Sequence, residues 1–135
     1  MLAQDNVDVV QGAWDAFGRG DIDAATALLA PEGEITAPST LPWGGTFLGP
    51  EGFRDFLRGL LSHFRDFKAT PEKVLGADDD HVVVTAHIKG RTKDGTPVEN
   101  RSVWVYKLRG GQVVSAEAFV DTARMLQALD STSAS

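Results

Sequence analysis

The spacing of apolar residues changes period once along this chain, and that single change limits the folds open to it. Up to Phe64 they recur every three or four residues; beyond it they alternate. Val7, Val10, Trp14 and Phe17 form the stripe of a first amphipathic helix, stopped by Gly18 and Gly20. Asp21 stands as N-cap to a short second helix carrying Ile22, Ala25, Leu28 and Leu29, which Pro31 ends. Glu34 to Ala37 reads as a short strand, and residues 38–45, rich in Pro and Gly, as a loop holding Trp43. Pro50 opens a third helix with the clearest stripe of all, Phe53, Phe56, Leu57, Leu60, Leu61 and Phe64.

The second half reads as β. Phe67 to Ala77 is a weaker strand in which Pro71 marks an edge or a bulge. His81 to Arg91, Pro97 to Leu108 and Val113 to Val120 follow, joined by Lys93-Asp94-Gly95-Thr96 and Arg109-Gly110-Gly111-Gln112. Asp121-Thr122 caps a short closing helix with Met125, Leu126 and Leu129. Helices first and antiparallel strands after predict an α+β fold, with helices on one face of a meandering sheet. The 135 residues suit one domain, expected over residues 1–130 with a disordered tail at 131–135.

The absence of cysteine excludes disulfides and thiolate chemistry, and three scattered histidines offer no metal-ligand spacing. Asp78-Asp79-Asp80-His81 reads as a solvated turn, and neither a phosphate loop nor a GxSxG motif occurs, so no metal and no cofactor are expected. Thirteen basic against nineteen acidic residues give a charge of −6, which disfavours nucleic acid as a partner. The chain starts without a secretory pattern and has no apolar run near the roughly 20 residues a bilayer needs, so no membrane association and a cytoplasmic location are expected.

Register decides which residues share a face. With a two-residue turn at Asp94-Gly95, Thr85 lies opposite Trp104 and His87 opposite Ser102. One face then carries Thr85, His87, Asn100, Ser102, Trp104 and Tyr106; the other carries Val82, Val84, Ala86, Ile88, Val103 and Val105. At Gly110-Gly111 two registers are open. A two-residue loop brings Glu117 and Phe119 to the Trp104 face, whereas a three-residue loop with a left-handed Gly111 brings Ala116, Ala118 and Val120 there. The second is favoured because small apolar residues leave space opposite the helices. Three helices cover only one face, so the valine face predicts a homodimer packed through its six named residues.

Four segments carry a family resemblance: Phe17-Gly18-Arg19-Gly20-Asp21, Gly49-Pro50-Glu51-Gly52-Phe53, Arg109-Gly110-Gly111-Gln112-Val113 and Ala118-Phe119-Val120-Asp121. In order and spacing the chain resembles the nuclear transport factor 2-like superfamily, in particular its SnoaL-like branch. The resemblance implies a cone-shaped curved sheet with three packed helices and a short C-terminal helix. It also implies a deep pocket lined by the Trp104 face, and commonly a dimer through the outer face. The superfamily includes ketosteroid isomerases, limonene epoxide hydrolases, polyketide cyclases and dehydratases. A cofactor-independent isomerase, cyclase, dehydratase or hydrolase acting on a small hydrophobic metabolite is thus one reading; a non-catalytic ligand-binding or dimerisation protein is the other. The family's epoxide hydrolase Asp-Arg-Asp set falls on Thr85, His87 and Ala118. Trp14 stands in the region of the isomerase tyrosine, and the cyclase aspartate falls near Ala118.

The catalytic candidates are His87 and Asp121. A histidine side chain is the usual proton carrier near neutral pH, and His87 is a candidate for that role; the plainer reading is a histidine bonded to neighbouring hydroxyls. Asp121 is a carboxylate in a fold that uses them as bases, yet Asp-Thr-Ala-Arg ahead of an apolar stripe is an N-cap pattern. Glu117 reaches the pocket only in the two-residue register. His63 reads as a helix-end residue. Trp14, Trp43 and Trp104 predict an aromatic wall for a hydrophobic ligand, with Trp43 as lid and Thr85, Asn100 and Ser102 as polar points. An acid–base enzyme pairs two titrating groups with separated pKa values, and the sequence offers one.

Overall fold

The stripes of the first half fold as helices α1 (Ala3–Gly18), α2 (Ile22–Thr26) and α3 (Gly49–Leu61), in a computed structural model that describes the backbone of residues 3–134. The strands are β1 (Leu29–Ala37), β2 (Gly45–Leu48), β3 (Phe64–Gly76), β4 (His81–Thr92), β5 (Pro97–Arg109) and β6 (Gln112–Val120), and α4 (Thr122–Ala134) closes the chain. They form one curved, unclosed sheet in the order β2-β1-β6-β5-β4-β3, antiparallel except where β1 runs parallel to β6. The sheet's concave face holds the core against α1 and α3. Helix α3 turns Phe53, Phe56, Leu57 and Leu60 into that core, and Pro50 sits in its first turn, where a missing N–H costs nothing.

Local signals were read correctly at several ends. The Asp21 carboxylate accepts the Ala24 N–H at 3.0 Å and caps α2. Strand β3 is one of the two sheet edges, and Glu72 bulges out between Pro71 and Lys73. Other ends moved. Helix α2 stops at Thr26 because Leu29 already pairs with Val113 and opens β1. The hairpin partner of β1, β2, was not anticipated. Backbone that was expected as a tail is helical to Ala134, and Ser135 lies outside the described residues. Among the described residues no helix is long and apolar enough to cross a membrane.

The two tight turns decide the faces, and each corrects the sequence reading. At the β4–β5 hairpin the Thr92 N–H bonds the Thr96 carbonyl and the Gly95 N–H bonds the Thr92 carbonyl, both at 2.9 Å. The loop therefore holds three residues, Lys93, Asp94 and Gly95, with Gly95 at φ +89°. One added loop residue slips the register by one, so Val84 lies opposite Trp104, Ala86 opposite Ser102 and Ile88 opposite Asn100. Burial favours this pairing: it places Val82, Val84, Ala86 and Ile88 in the core, where Thr85 and His87 would each leave a polar group to satisfy.

At the β5–β6 hairpin Arg109 pairs with Gln112, making a two-residue turn in which Gly110 and Gly111 both have positive φ. The register shift comes later, where Val114 bulges between the Leu108–Val113 and Lys107–Ser115 pairs. Ala116, Ala118 and Val120 consequently share the concave face with Trp104, as the favoured register required, though by a different device.

The predicted dimer face is corrected in the same way. Val82, Val84 and Ala86 are fully buried and Ile88 nearly so. Only Val103 and Val105 of the six stay on the convex side, in the company of Leu75, Val83 and Phe119. Leu75 and Phe119 remain about half exposed, at 52% and 47%.

Candidate functional site

A cavity of about 90 Å³ lies between the concave sheet and the helices. Strand β5 supplies Ser102, Trp104 and Tyr106 to its wall, because alternate residues of a strand face one way. The small side chains Ala118 and Val120 of β6 leave the space beside Trp104, and Met125 of α4 reaches in behind them. Trp14 and Phe17 of α1 and the buried aromatic face of α3 complete the enclosure. Apolar cavities of about 150 Å³ accept a benzene ring. This cavity is smaller, so even a single-ring ligand must displace a side chain here or project past the rim.

Trp104 is the centre of the wall. Trp14 and Phe56 meet it edge-on at 6.2 and 5.9 Å, and Tyr106 stacks on it at 5.8 Å. The Trp14 Nε1–H donates to the Tyr106 oxygen at 2.9 Å. Burial pushes the Tyr106 phenol well above the usual tyrosine range, and the Trp14 hydrogen bond opposes it. Tyr106 is thus a neutral hydroxyl whose oxygen is already engaged and whose own proton can still be given. Trp43 is buried between the His63 and Phe64 rings at 5.3 and 5.6 Å, held by two successive turns in the β1–β2 connection.

Of the residues singled out from sequence, Trp14, Trp43, Ser102 and Trp104 line the cavity. Thr85 and His87 do not. Both lie on the convex face, opposite Val103 and Arg101, a direct result of the three-residue hairpin loop. The His87 Nε2 meets the exposed Glu99 carboxylate at 3.2 Å, and the hydrogen bond to His87 holds that carboxyl below its usual range. Asn100 is buried on the concave side but spends its amide on the backbone: Nδ2 donates to the Asp121 carbonyl at 3.0 Å, and Oδ1 accepts the N–H groups of Asp121 and Arg101. Asp121 caps α4, its carboxylate accepting the Arg124 N–H at 3.1 Å. Glu117 faces outward, opposite Val105.

His63 closes α3, with Nδ1 2.8 Å from the Gly59 carbonyl. His81 pairs with Asp78 at 2.8 Å, and that hydrogen bond lowers the Asp78 carboxyl. Among the described residues no three His, Asp or Glu side chains converge as metal ligands would. Tyr106 was placed on the Trp104 face from sequence but given no role. Two signals pointed to it: its even spacing from Ser102 and Trp104, and a tryptophan on α1 whose N–H needs an acceptor once buried.

An open curved sheet closing over helices around an uncharged, mostly apolar cavity defines an α+β pocket protein. The chain belongs to the SnoaL-like domain family, whose model matches residues 10–116. Solved structures share the whole architecture. An NTF2-like protein from Burkholderia thailandensis E264 is 25% identical, with a TM-score of 0.86 over 92% of this chain and 96% of that one. TerC, co-crystallised with polyporic acid, is 22% identical, with a TM-score of 0.85 over 93% and 98%. A protein of ketosteroid isomerase-like fold from Catenulispora acidiphila DSM 44928, in complex with trimethylamine, is 20% identical, with a TM-score of 0.77 over 90% and 92%. No curated protein matches the chain.

Proposed function

We propose that this protein holds a small, uncharged, hydrophobic molecule in the cavity between Trp104 and α3, as a binding protein and not as an acid–base enzyme. One observation carries the reading. Among the described residues lining the cavity, Tyr106 is the only one with a titratable side chain, and burial keeps it protonated. A general base must reach the proton it removes, and His87, the sequence candidate, sits on the far side of the sheet. What the wall offers instead is aromatic surface, a hydrogen bond from Tyr106 and no charge to offset a charged ligand. The co-crystallised polyporic acid in TerC and trimethylamine in the Catenulispora protein support a small-molecule partner for the fold, and neither compound is assigned to this chain.

The second element of the reading is a homodimer through the convex face. Leu75 and Val83 pair with each other, as do Val103 and Phe119, and Val105 lies between these pairs. A two-fold axis would bury such a patch against its own copy.

All three tryptophans of the chain line the cavity, so intrinsic fluorescence reports on it alone. Titration with acetophenone, a small neutral aromatic ketone, gives a saturable change in that fluorescence. Ala118→Leu, which fills the space beside Trp104, abolishes the saturable part while the protein stays folded by circular dichroism. A response that never saturates, or one that Ala118→Leu leaves intact, sinks the pocket reading.

A further inference from the structure

We infer that Ser102 is the specificity-determining contact of the cavity, donating its hydroxyl proton to a carbonyl oxygen on the bound molecule. The inference rests on the pocket reading above and goes beyond it by naming the ligand's polar group and the residue that selects it.

Ser102 is 3% exposed and its Oγ has no hydrogen-bond partner among the described residues. Its neighbours across the sheet are Ala86 and Val120, neither of which has a polar side chain to offer. A buried hydroxyl without a partner costs stability, so native proteins rarely retain one unless something else satisfies it. Asn100, two residues back on the same face, shows the contrast: each polar atom of its amide is engaged. Ser102 lines the cavity on the same strand face as Tyr106, its Oγ closed off from water and with nothing to bond. Four residues of strand separate the two, roughly 13 Å along the backbone, so they address different ends of a ligand.

The missing partner has a definite chemistry. The surrounding wall is apolar and uncharged, so a carboxylate or an ammonium would be stranded there. A ligand hydroxyl would bring a second proton needing an acceptor. A carbonyl oxygen brings none and takes the Ser102 proton directly, leaving the fewest unpaired groups.

The test uses a matched pair of single-ring probes, acetophenone and ethylbenzene, which have similar shape and differ in the carbonyl. Affinities come from fluorescence titration of the wild type and of Ser102→Ala, and thermal midpoints from calorimetry without probe. Wild type prefers acetophenone, and Ser102→Ala cuts that preference about fivefold, in line with one net hydrogen bond, while ethylbenzene affinity holds. The same variant melts higher by about 3 °C or more, because an unpaired buried hydroxyl has gone. An unchanged preference overturns the inference even if the midpoint rises. A lowered midpoint overturns it too, since the hydroxyl was then satisfied within the protein. If the wild type binds neither probe, the pocket reading itself fails and this inference falls with it.

Discussion

The two faces of the β4–β5 hairpin both carry valines and meet opposite fates. The concave face takes Val82, Val84, Ala86, Ile88, Trp104 and Tyr106 and turns them into a core with a void in it. The convex face keeps Val83, Val103 and Val105 among Thr85, His87 and Arg101, where water still reaches. Composition sorts the faces of each strand but not how the faces of the two strands combine. What separates them is a one-residue loop choice at Gly95, after which every titratable side chain of β4 faces away from the cavity. The chemistry of a pocket can thus be set by a turn well outside it.

The sharpest way to test the contrast is to place the same charge on each face. Val84→Asp buries a carboxylate without a partner and destabilises by more than about 4 kcal/mol, so the variant is unfolded or insoluble by circular dichroism. Val103→Asp, on the other side of the same hairpin, keeps the wild-type denaturation midpoint to within about 0.5 kcal/mol and, on the proposed homodimer, shifts the light-scattering mass from dimer to monomer. Should Val84→Asp fold normally, the assignment of faces is wrong.

Asn100→Ala comes next. It removes three hydrogen bonds, two of them at the β6–α4 junction, and leaves the Asp121 N–H and carbonyl unpaired, costing about 2 kcal/mol in urea unfolding. A loss below about 0.5 kcal/mol would mean that Asn100 is held for a ligand and not for the fold.

Tyr106→Phe removes the acceptor of the Trp14 N–H while keeping the ring stacked on Trp104, for a loss of about 1 kcal/mol and a changed Trp14 emission. The smallest effect belongs to His87→Ala. Stability changes by less than about 0.5 kcal/mol and acetophenone affinity is unaltered. In an NMR titration the Glu99 carboxyl, now lowered by its hydrogen bond to His87, moves back up toward its ordinary value. Because its pKa is depressed in the folded protein, what little Glu99 contributes is present above its unfolded value and fades as pH falls through the lower, folded one. Loss of probe binding in His87→Ala would return that residue to the pocket.

Much of this architecture was legible in the chain. Helix α3 announced itself because four large apolar side chains repeat on one stripe, and Pro71 announced an edge because proline cannot join a ladder. The aromatic wall was legible too, since Trp104 and Tyr106 stand two apart on a strand. The register was not. Asp94-Gly95 is as good a signal for a two-residue turn as for a three-residue one, and Val82-Val83-Val84 offers either face an apolar surface. Only burial by distant helices decides between them, and that information is not local. Strand β2 was hidden for a similar reason: four residues after a Gly-rich loop carry little pattern, and pairing with β1 defines them.

The bulge at Val114 has a consequence for how such pockets diversify. Before it, odd-numbered residues of β6 look inward; after it, even-numbered ones do. Taking Val114 into the ladder opposite Lys107, with no residue lost, would reverse the parity of everything downstream, withdrawing Ala118 and swinging Glu117 and Phe119 in beside Trp104. An apolar lining would acquire an ionisable group and a new ring at once, with no side chain mutated. The register of one hairpin therefore decides which half of β6 a pocket of this fold sees.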